Sequence, residues 1–172
     1  MKALIRIGCL ISLALLAASC QFPGTKIRPG DRIGGMEFLN DYAECPAPNF
    51  NDICGGFESL EEGTCEIPAE LTMFWVSTGW AEETQDALEL AWKDSEWSLT
   101  FDDYVVDLPA FGTFGLQYDG QPARAWNVCI SNPAPGTHTV VYKIHFEHGS
   151  RPGNHTNVLT FSIPTPAPGQ TQ

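Results

Sequence analysis

The sequence predicts a mostly β protein: an antiparallel β-sandwich with one short helix inserted between strands. Several segments of the second half alternate apolar and polar residues, which is typical of strands that bury one face. Only residues 81–92 place their apolar side chains at helical spacing. The 172 residues include 16 glycines and 13 prolines. This content favours the many turns of a small β fold over a helical bundle.

The charge balance argues against two classes of anionic partner. The chain has 9 Lys and Arg against 21 Asp and Glu, a formal net charge of −12. Nucleic acids and anionic lipid head groups both require a basic surface, so neither is an expected partner. A hydrophobic content of 43% is sufficient for a core, and a chain of this length is expected to form one domain.

Residues 1–19 have the layout of a secretory signal peptide. Lys2 and Arg6 precede an apolar run that ends in small residues. The run is too short for a membrane-spanning helix, which needs about 20 residues. The segment Leu16-Ala-Ala-Ser-Cys20 resembles the lipobox of bacterial lipoproteins. This resemblance implies cleavage before Cys20, a lipid anchor on that cysteine, and an extracytoplasmic location. The alternative is a plain secretory signal in which Cys20 is incidental.

The rest of the chain divides into four segments by composition. Residues 20–36 are rich in glycine and proline and are predicted to form a tether. Residues 37–68 show no sustained period and are predicted to be irregular and stapled by disulfides. Residues 69–164 hold the predicted sandwich, which forms one domain with residues 37–68. Residues 165–172 are predicted to be a flexible tail.

Strand patterns account for most of the sandwich. Residues 71–77 are apolar on both faces, as in an inner strand, and Gly79-Trp80 is predicted to end this strand in a turn. The remaining predicted strands lie at residues 97–101, 104–108, 114–118, 126–130, 137–147 and 158–163. Asp102-Asp103 is predicted to form a hairpin tip between two of them. The spacing is that of a small antiparallel sandwich.

The helix predicted over residues 81–92 has one apolar side, with Ala81, Leu88 and Trp92 at helical spacing. Glu82 and Glu83 lie in its first turn, where the helix dipole favours acidic residues. The face opposite the apolar side is acidic and is predicted to be solvated.

Two segments resemble the late strands of immunoglobulin-like domains. They are Trp126-Asn-Val-Cys129 and Gly136-Thr-His-Thr-Val-Val-Tyr142. The resemblance is one of pattern and covers about 40 residues. It implies an immunoglobulin-like sandwich and carries no functional motif.

Four cysteines remain besides the one in the lipobox: Cys45, Cys54, Cys65 and Cys129. Outside the cytoplasm, four cysteines imply two disulfides, with three possible connectivities. The predicted pairing is Cys45–Cys54 with Cys65–Cys129. No Cys-x2-Cys pair occurs, so a structural zinc site is not expected.

The strand pattern also predicts where Cys129 points. If Trp126, Val128 and Ile130 face the core, Cys129 points outward, because alternate strand residues face opposite ways. It would then clamp the irregular segment over the outside of one sheet.

Metal sites are weakly indicated. One candidate set is His145, Glu147, His148 and His155, but residues 145 and 148 point to opposite faces of a strand. Ordinary surface histidines are therefore favoured. For calcium, the candidates are Asp102, Asp103 and Asp107 or, alternatively, Asp119 with nearby carbonyl groups. These residues lack EF-hand spacing, so a solvated acidic hairpin is favoured. We assign no metal.

No known catalytic motif occurs: the sequence lacks a Gly-x-Ser-x-Gly elbow, a His-Glu-x-x-His pair and a phosphate-binding loop. We therefore assign no catalytic residue and no cofactor. Trp80 is the candidate ligand contact, since a turn before a helix can hold a ring outward towards a sugar or an apolar partner. The favoured alternative is a ring packed beneath the helix.

These observations predict a non-catalytic cell-envelope lipoprotein. It would act as a binding or interaction module on the extracytoplasmic face, with a protein or glycan partner. The alternative is a small extracytoplasmic enzyme that acts on envelope glycan.

Overall fold

A computed structural model describes residues 26–41, 43–55 and 65–165. The signal peptide, Cys20 and the tail from residue 166 lie outside these ranges, so their predictions stay predictions. The strands are β1 (Arg32–Ile33), β2 (Met36–Leu39), β3 (Cys65–Glu66), β4 (Met73–Ala81), β5 (Glu96–Phe101), β6 (Tyr104–Val106), β7 (Thr113–Tyr118), β8 (Gln121–Ser131), β9 (Gly136–Phe146) and β10 (Gly153–Ile163). The helices are α1 (Phe50–Cys54), α2 (Gln85–Lys93) and α3 (Leu108–Phe111). No helix among the described residues has the length and apolar content needed to cross a membrane.

The strands form two sheets of five. Sheet I is built around β8, which pairs antiparallel with β4 along one side. On its other side β8 pairs with β7 through its first half and with β2 through its last three residues. Sheet II has the order β3-β10-β9-β5-β6, in which only β3 and β10 pair parallel. The predicted mostly β sandwich is confirmed.

The strand order is that of an immunoglobulin-like sandwich. In such domains strands B, E and D are neighbours in one sheet, and C, F and G are neighbours in the other. With β4 as strand B, strands β8 and β7 correspond to E and D, and β5, β9 and β10 correspond to C, F and G. Strand β6 then lies beside strand C, as C′ does in variable-type domains.

The core lies between the sheets, where the alternating patterns place it. Trp126, Val128 and Ile130 of β8 are buried there, opposite Val140 and Tyr142 of β9. The inward orientation predicted for the three β8 residues is confirmed. Two short helices besides α2 were not predicted, α1 and α3, and each is at most five residues long.

Strand β4 continues beyond the predicted turn at Gly79-Trp80 and ends at Ala81, which pairs with Ala123. The turn prediction is therefore wrong. A Cβ atom at residue 79 would lie 2.5 Å from the carbonyl oxygen of Arg124. Gly79 is needed for this close approach of β4 to β8, and it does not bend the chain.

Helix α2 begins four residues later than predicted, at Gln85. Thr84 is its N-cap: the Oγ1 atom accepts a hydrogen bond of 3.2 Å from the backbone N–H of Ala87. Ala81 is held in β4 by pairing with β8, and the backbone N–H of Glu82 donates to the carbonyl of Pro122, so cross-strand hydrogen bonds override the helical pattern at these two residues. Leu88 and Ala91 are buried on its inner side.

The predicted tether differs from the structure over residues 27–36. Ile27 is 2% exposed and bridges to Val106 at the edge of sheet II. Met36 is also buried, at the start of β2, and β1 and β2 form a hairpin. These apolar residues are isolated in the sequence, and they find core partners only through distant contacts.

Two disulfides are present, but the predicted pairing is wrong: Cys45 bonds to Cys129, and Cys54 bonds to Cys65. The bridge between Asn49 and Trp75 aligns the chain before α1 with β4. Trp75 pairs with Cys129 across sheet I, and its indole Nε1 donates to the carbonyl of Cys45 at 2.9 Å. Cys45 therefore meets Cys129.

Cys65 begins β3 in the other sheet, so it lies away from Cys129 and bonds to Cys54 at the end of α1. Cys129 does point outward, as predicted, and clamps the segment before α1 over the outer face of sheet I. Only its partner differs.

Candidate binding surface

Trp80, the candidate ligand contact, lies within β4 and faces the space between the sheets. Its ring centroid is 4.4 Å from that of Phe146 and 5.3 Å from that of His155. Its Nε1 donates a hydrogen bond of 2.9 Å to Oε1 of Glu82. The side chain is half-buried. The geometry is that of a packed staple at one end of the sandwich, and ligand contact by Trp80 stays a prediction.

Glu82 holds the neighbouring loop against this aromatic group. It is 3% exposed, and Oε1 also accepts a hydrogen bond of 3.0 Å from the backbone N–H of Ser150. A Cβ atom at Gly149 would lie 2.7 Å from the same oxygen, so only glycine lets the loop pass this closely. The prediction that Glu82 lies in the first turn of the helix is wrong, because the residue precedes α2 and is buried.

The pKa of Glu82 reflects this environment. Burial by itself would raise the pKa, because a low-dielectric surrounding disfavours the charged form. The hydrogen bonds from Ser150 and Trp80, and the positive charge of Arg151, outweigh the burial and hold the pKa below its ordinary value. Glu82 is therefore an ionised carboxylate that joins β4 to the loop before β10.

Three further tryptophans extend the aromatic group. The rings of Trp92, Trp97 and Trp126 lie 4.7–4.8 Å from one another, centroid to centroid. Trp97 also contacts Phe146, which joins this trio to Trp80. The Arg124 guanidinium lies 5.3 Å from the centroid of Trp92 and forms an ion pair with Glu89. Aromatic rings in tilted and edge-on contact thus close this end of the sandwich.

His145 and His155 are engaged in local hydrogen bonds, and His148 lies 3.8 Å from Asp94. His145 lies on the outer face of sheet II, where Asn154 is 2.8 Å from Nδ1 and Glu147 is 3.2 Å from Nε2. These bonds, that of Asn154 first, raise the pKa of His145. Within the described ranges, no group of three or more His, Cys, Asp or Glu side chains is placed to hold a metal ion.

His138 is a buried residue to which the sequence pattern assigned no role. Its Nδ1 is 3.0 Å from Asp102, and its Nε2 is 2.9 Å from the carbonyl of Ala134. Asp102 also accepts a hydrogen bond of 2.9 Å from the backbone N–H of Thr139. Asp102, considered above as a calcium ligand, thus fastens the β5–β6 turn to β9.

A shallow cavity of about 280 Å³ lies at the opposite end of the sandwich. Its lining residues are mostly apolar and come from the β1–β2 turn, the segment between β3 and β4, the loop after β8 and the end of β10. They include Gly34, Leu71, Pro133 and Ile163.

The outer face of sheet II carries two exposed valines, one on β6 and one on β10. Val158 of β10 pairs with Val141 of β9, which pairs with Thr100 of β5, which pairs with Val105 of β6. The four side chains form one row, because residues paired in register point to the same face. Val158 is 56% exposed and Val105 is 42% exposed, at the two ends of the row.

Polar side chains flank this row. One neighbouring row holds Thr139 and Thr160, and the other holds Ser98, Lys143 and Thr156. We call the three rows together the valine–threonine face. None of its side chains is acidic, although the chain carries a net charge of −12. Alternation in the strands could have predicted each residue's face, but the alignment of strands that forms the row depends on the tertiary fold.

The comparisons with known proteins add no relative: no family model, no curated protein and no solved structure matches this chain. Its function must be argued from its own surfaces.

Proposed function

We propose that this protein is a non-catalytic binding module, held on the extracytoplasmic face of a bacterial envelope by a lipid on Cys20. The observation that carries the binding role is the valine–threonine face. Two of its valines, at the two ends of the central row, are about half exposed, and side chains with hydroxyl groups flank that row. Contiguous apolar surface of this kind is typical of interaction sites, because exposing it to water costs free energy that a partner removes.

The chemistry of the face narrows the partner. Methyl groups of valine and threonine offer a flat apolar surface, and the threonine and serine hydroxyls both donate and accept hydrogen bonds. Lys143 supplies a positive charge beside the row. The partner is therefore a protein or glycan surface that is flat and uncharged, or that carries an acidic group opposite Lys143.

The location is supported by two independent features of the chain. Its N-terminal segment resembles a lipoprotein signal, and its two disulfides suit an oxidising compartment. Disulfides are rare in cytosolic proteins, by contrast, because the cytosol keeps thiols reduced.

The test is saturable binding of the purified protein to isolated envelope and, separately, to envelope glycan. Val158→Glu places a charge in the row and is expected to weaken binding at least tenfold, about 1.4 kcal/mol. The matched control is Leu90→Glu, because Leu90 is 52% exposed on α2, away from the face. Equal binding by both variants, with folding checked by circular dichroism, would show that the face has no role.

A further inference from the structure

Strand β7 is an edge of sheet I, and its outward backbone groups can be identified. Gln117 of β7 pairs with Pro122 of β8, and proline has no N–H to donate. This pair is therefore a non-hydrogen-bonded one, and the carbonyl of Pro122 indeed accepts from Glu82 on the β4 side. Because hydrogen-bonded pairs alternate in antiparallel ladders, the N–H and C=O groups of Gly115 and Gln117 point away from β8.

The edge has none of the features that usually block an edge strand. Natural edges carry lysine, proline or a bulge that prevents pairing with another chain. The six residues Thr113–Tyr118 contain no charged residue and no proline, and they pair with β8 without a bulge. Leu116 is 37% exposed and Tyr118 is 67% exposed on one face of the strand. Among the described residues, no strand lies on the outward side of β7.

We propose that β7 of a second copy of this chain pairs antiparallel with β7 of the first copy. Sheet I of one copy then continues into sheet I of the other across a two-fold axis. The strand is self-complementary about Leu116. With Leu116 opposite Leu116 of the second copy, Gly115 lies opposite Gln117, and their outward groups form four hydrogen bonds in total. The same register places Phe114 opposite Tyr118 twice, and aromatic cross-strand pairs stabilise sheets.

The charge distribution favours this edge as the meeting point of two acidic chains. Asp119, the acidic residue that follows β7, lies opposite Thr113 in this register, so no carboxylates oppose each other. The net charge of −12 still repels at longer range. Salt screens such repulsion, since the Debye length falls from about 10 Å at 0.1 M to about 3 Å at 1 M.

The interface is small. Six residues at about 3.4 Å each give a contact roughly 20 Å long, which belongs with weak and transient interfaces. We therefore expect monomers and dimers to be in equilibrium. The dissociation constant of the dimer is expected to fall as the salt concentration rises.

The test is sedimentation velocity of the secreted Cys20→Ser chain at low and high salt over a range of protein concentrations. The parent is expected to form dimers at high concentration, and more of them at high salt. Gln117→Pro removes an outward N–H without touching the β7–β8 ladder, and it is expected to weaken dimerisation at least tenfold. Gln117→Thr is the matched control, because it keeps the N–H and is expected to keep the dimer.

Hydrogen exchange on the parent provides a second measurement that needs no variant. The amides of Gly115 and Gln117 are expected to exchange more slowly at dimer-forming concentrations. A parent that stays monomeric throughout, a Gln117→Pro chain that dimerises like the parent, or association that weakens with salt would overturn the proposal. This test of dimerisation is independent of the test of the valine–threonine face, because Val158→Glu is expected to leave the dimer intact.

Discussion

At the scale of single residues, Glu82 illustrates how a buried carboxylate is accommodated beside aromatic rings. An unpaired buried charge would destabilise the fold, but the indole of Trp80 and the backbone of Ser150 both donate to the same oxygen. Hydrogen bonds to charged groups contribute about 1.5–3 kcal/mol. Glu82 therefore stabilises the contact between β4 and the loop before β10.

We expect Glu82→Gln to lower the free energy of unfolding at neutral pH by about 2 kcal/mol, because hydrogen bonds to an ionised oxygen are the stronger ones. The folded-state pKa of Glu82 is lowered from 4.5, so its contribution is complete above that pH and is lost as pH falls through the folded value. Urea unfolding over a series of pH values measures both effects.

The control for this experiment is Glu83→Gln, because Glu83 is an exposed neighbour. It is expected to change stability little at any pH. A difference between the parent and Glu82→Gln that stays constant or grows in acid would contradict the assignment.

At the scale of elements, the two disulfides constrain very different loops. Cys45 and Cys129 are 84 residues apart and join the segment before α1 to the central strand of sheet I. Cys54 and Cys65 are 11 residues apart and join α1 to β3. A cross-link stabilises mainly by restricting the unfolded chain, and the restriction grows with the length of the closed loop.

We therefore expect the variant with Cys45 and Cys129 both replaced by alanine to lose about 4.5 kcal/mol of stability. Replacement of Cys54 and Cys65 is expected to cost about 3 kcal/mol in the same chain-entropy model. Thermal or denaturant unfolding of the two double variants gives the order. A larger loss for the shorter loop would show that the constraint on the unfolded chain is not what decides their contributions.

At the scale of the whole molecule, the proposed function divides the chain into an anchor and a folded domain. The described residues form one sandwich, with an aromatic group closing one end and a shallow cavity at the other. The proposed anchor would leave the valine–threonine face and the β7 edge to meet partners near the membrane. Anchoring also raises the effective concentration of neighbouring copies, which favours a weak dimer.

We expect Cys20→Ser to move the protein from the membrane fraction to the soluble fraction, because the acyl chains have no other attachment site in the proposed lipoprotein. Fractionation with immunodetection measures this, and mass spectrometry of the N-terminal peptide identifies the acyl mass on the parent. Cys45→Ser is expected to stay membrane-bound. Unchanged fractionation of Cys20→Ser without an acyl mass would refute the anchor.

Much of the fold could be predicted from residues 97–163, where alternation is clear. Leu99, Val128 and Phe161 are buried as their alternating patterns require, because which face a strand residue occupies is set by its neighbours in sequence. The candidate site was less predictable. Trp80 was identified, but its position in β4 and its contact with Phe146 depend on pairing with distant strands.

The sequence by itself determined the β character, the acidic charge, the inward side of most strands and the presence of two disulfides. These properties depend on composition and on periods of two residues, which local geometry enforces. The tertiary structure alone decided which cysteines meet, why Gly79 must be glycine, that Glu82 is buried, and which valines align across sheet II. Each of these depends on contacts between residues far apart in the chain, and register between distant strands is set by packing of the whole core.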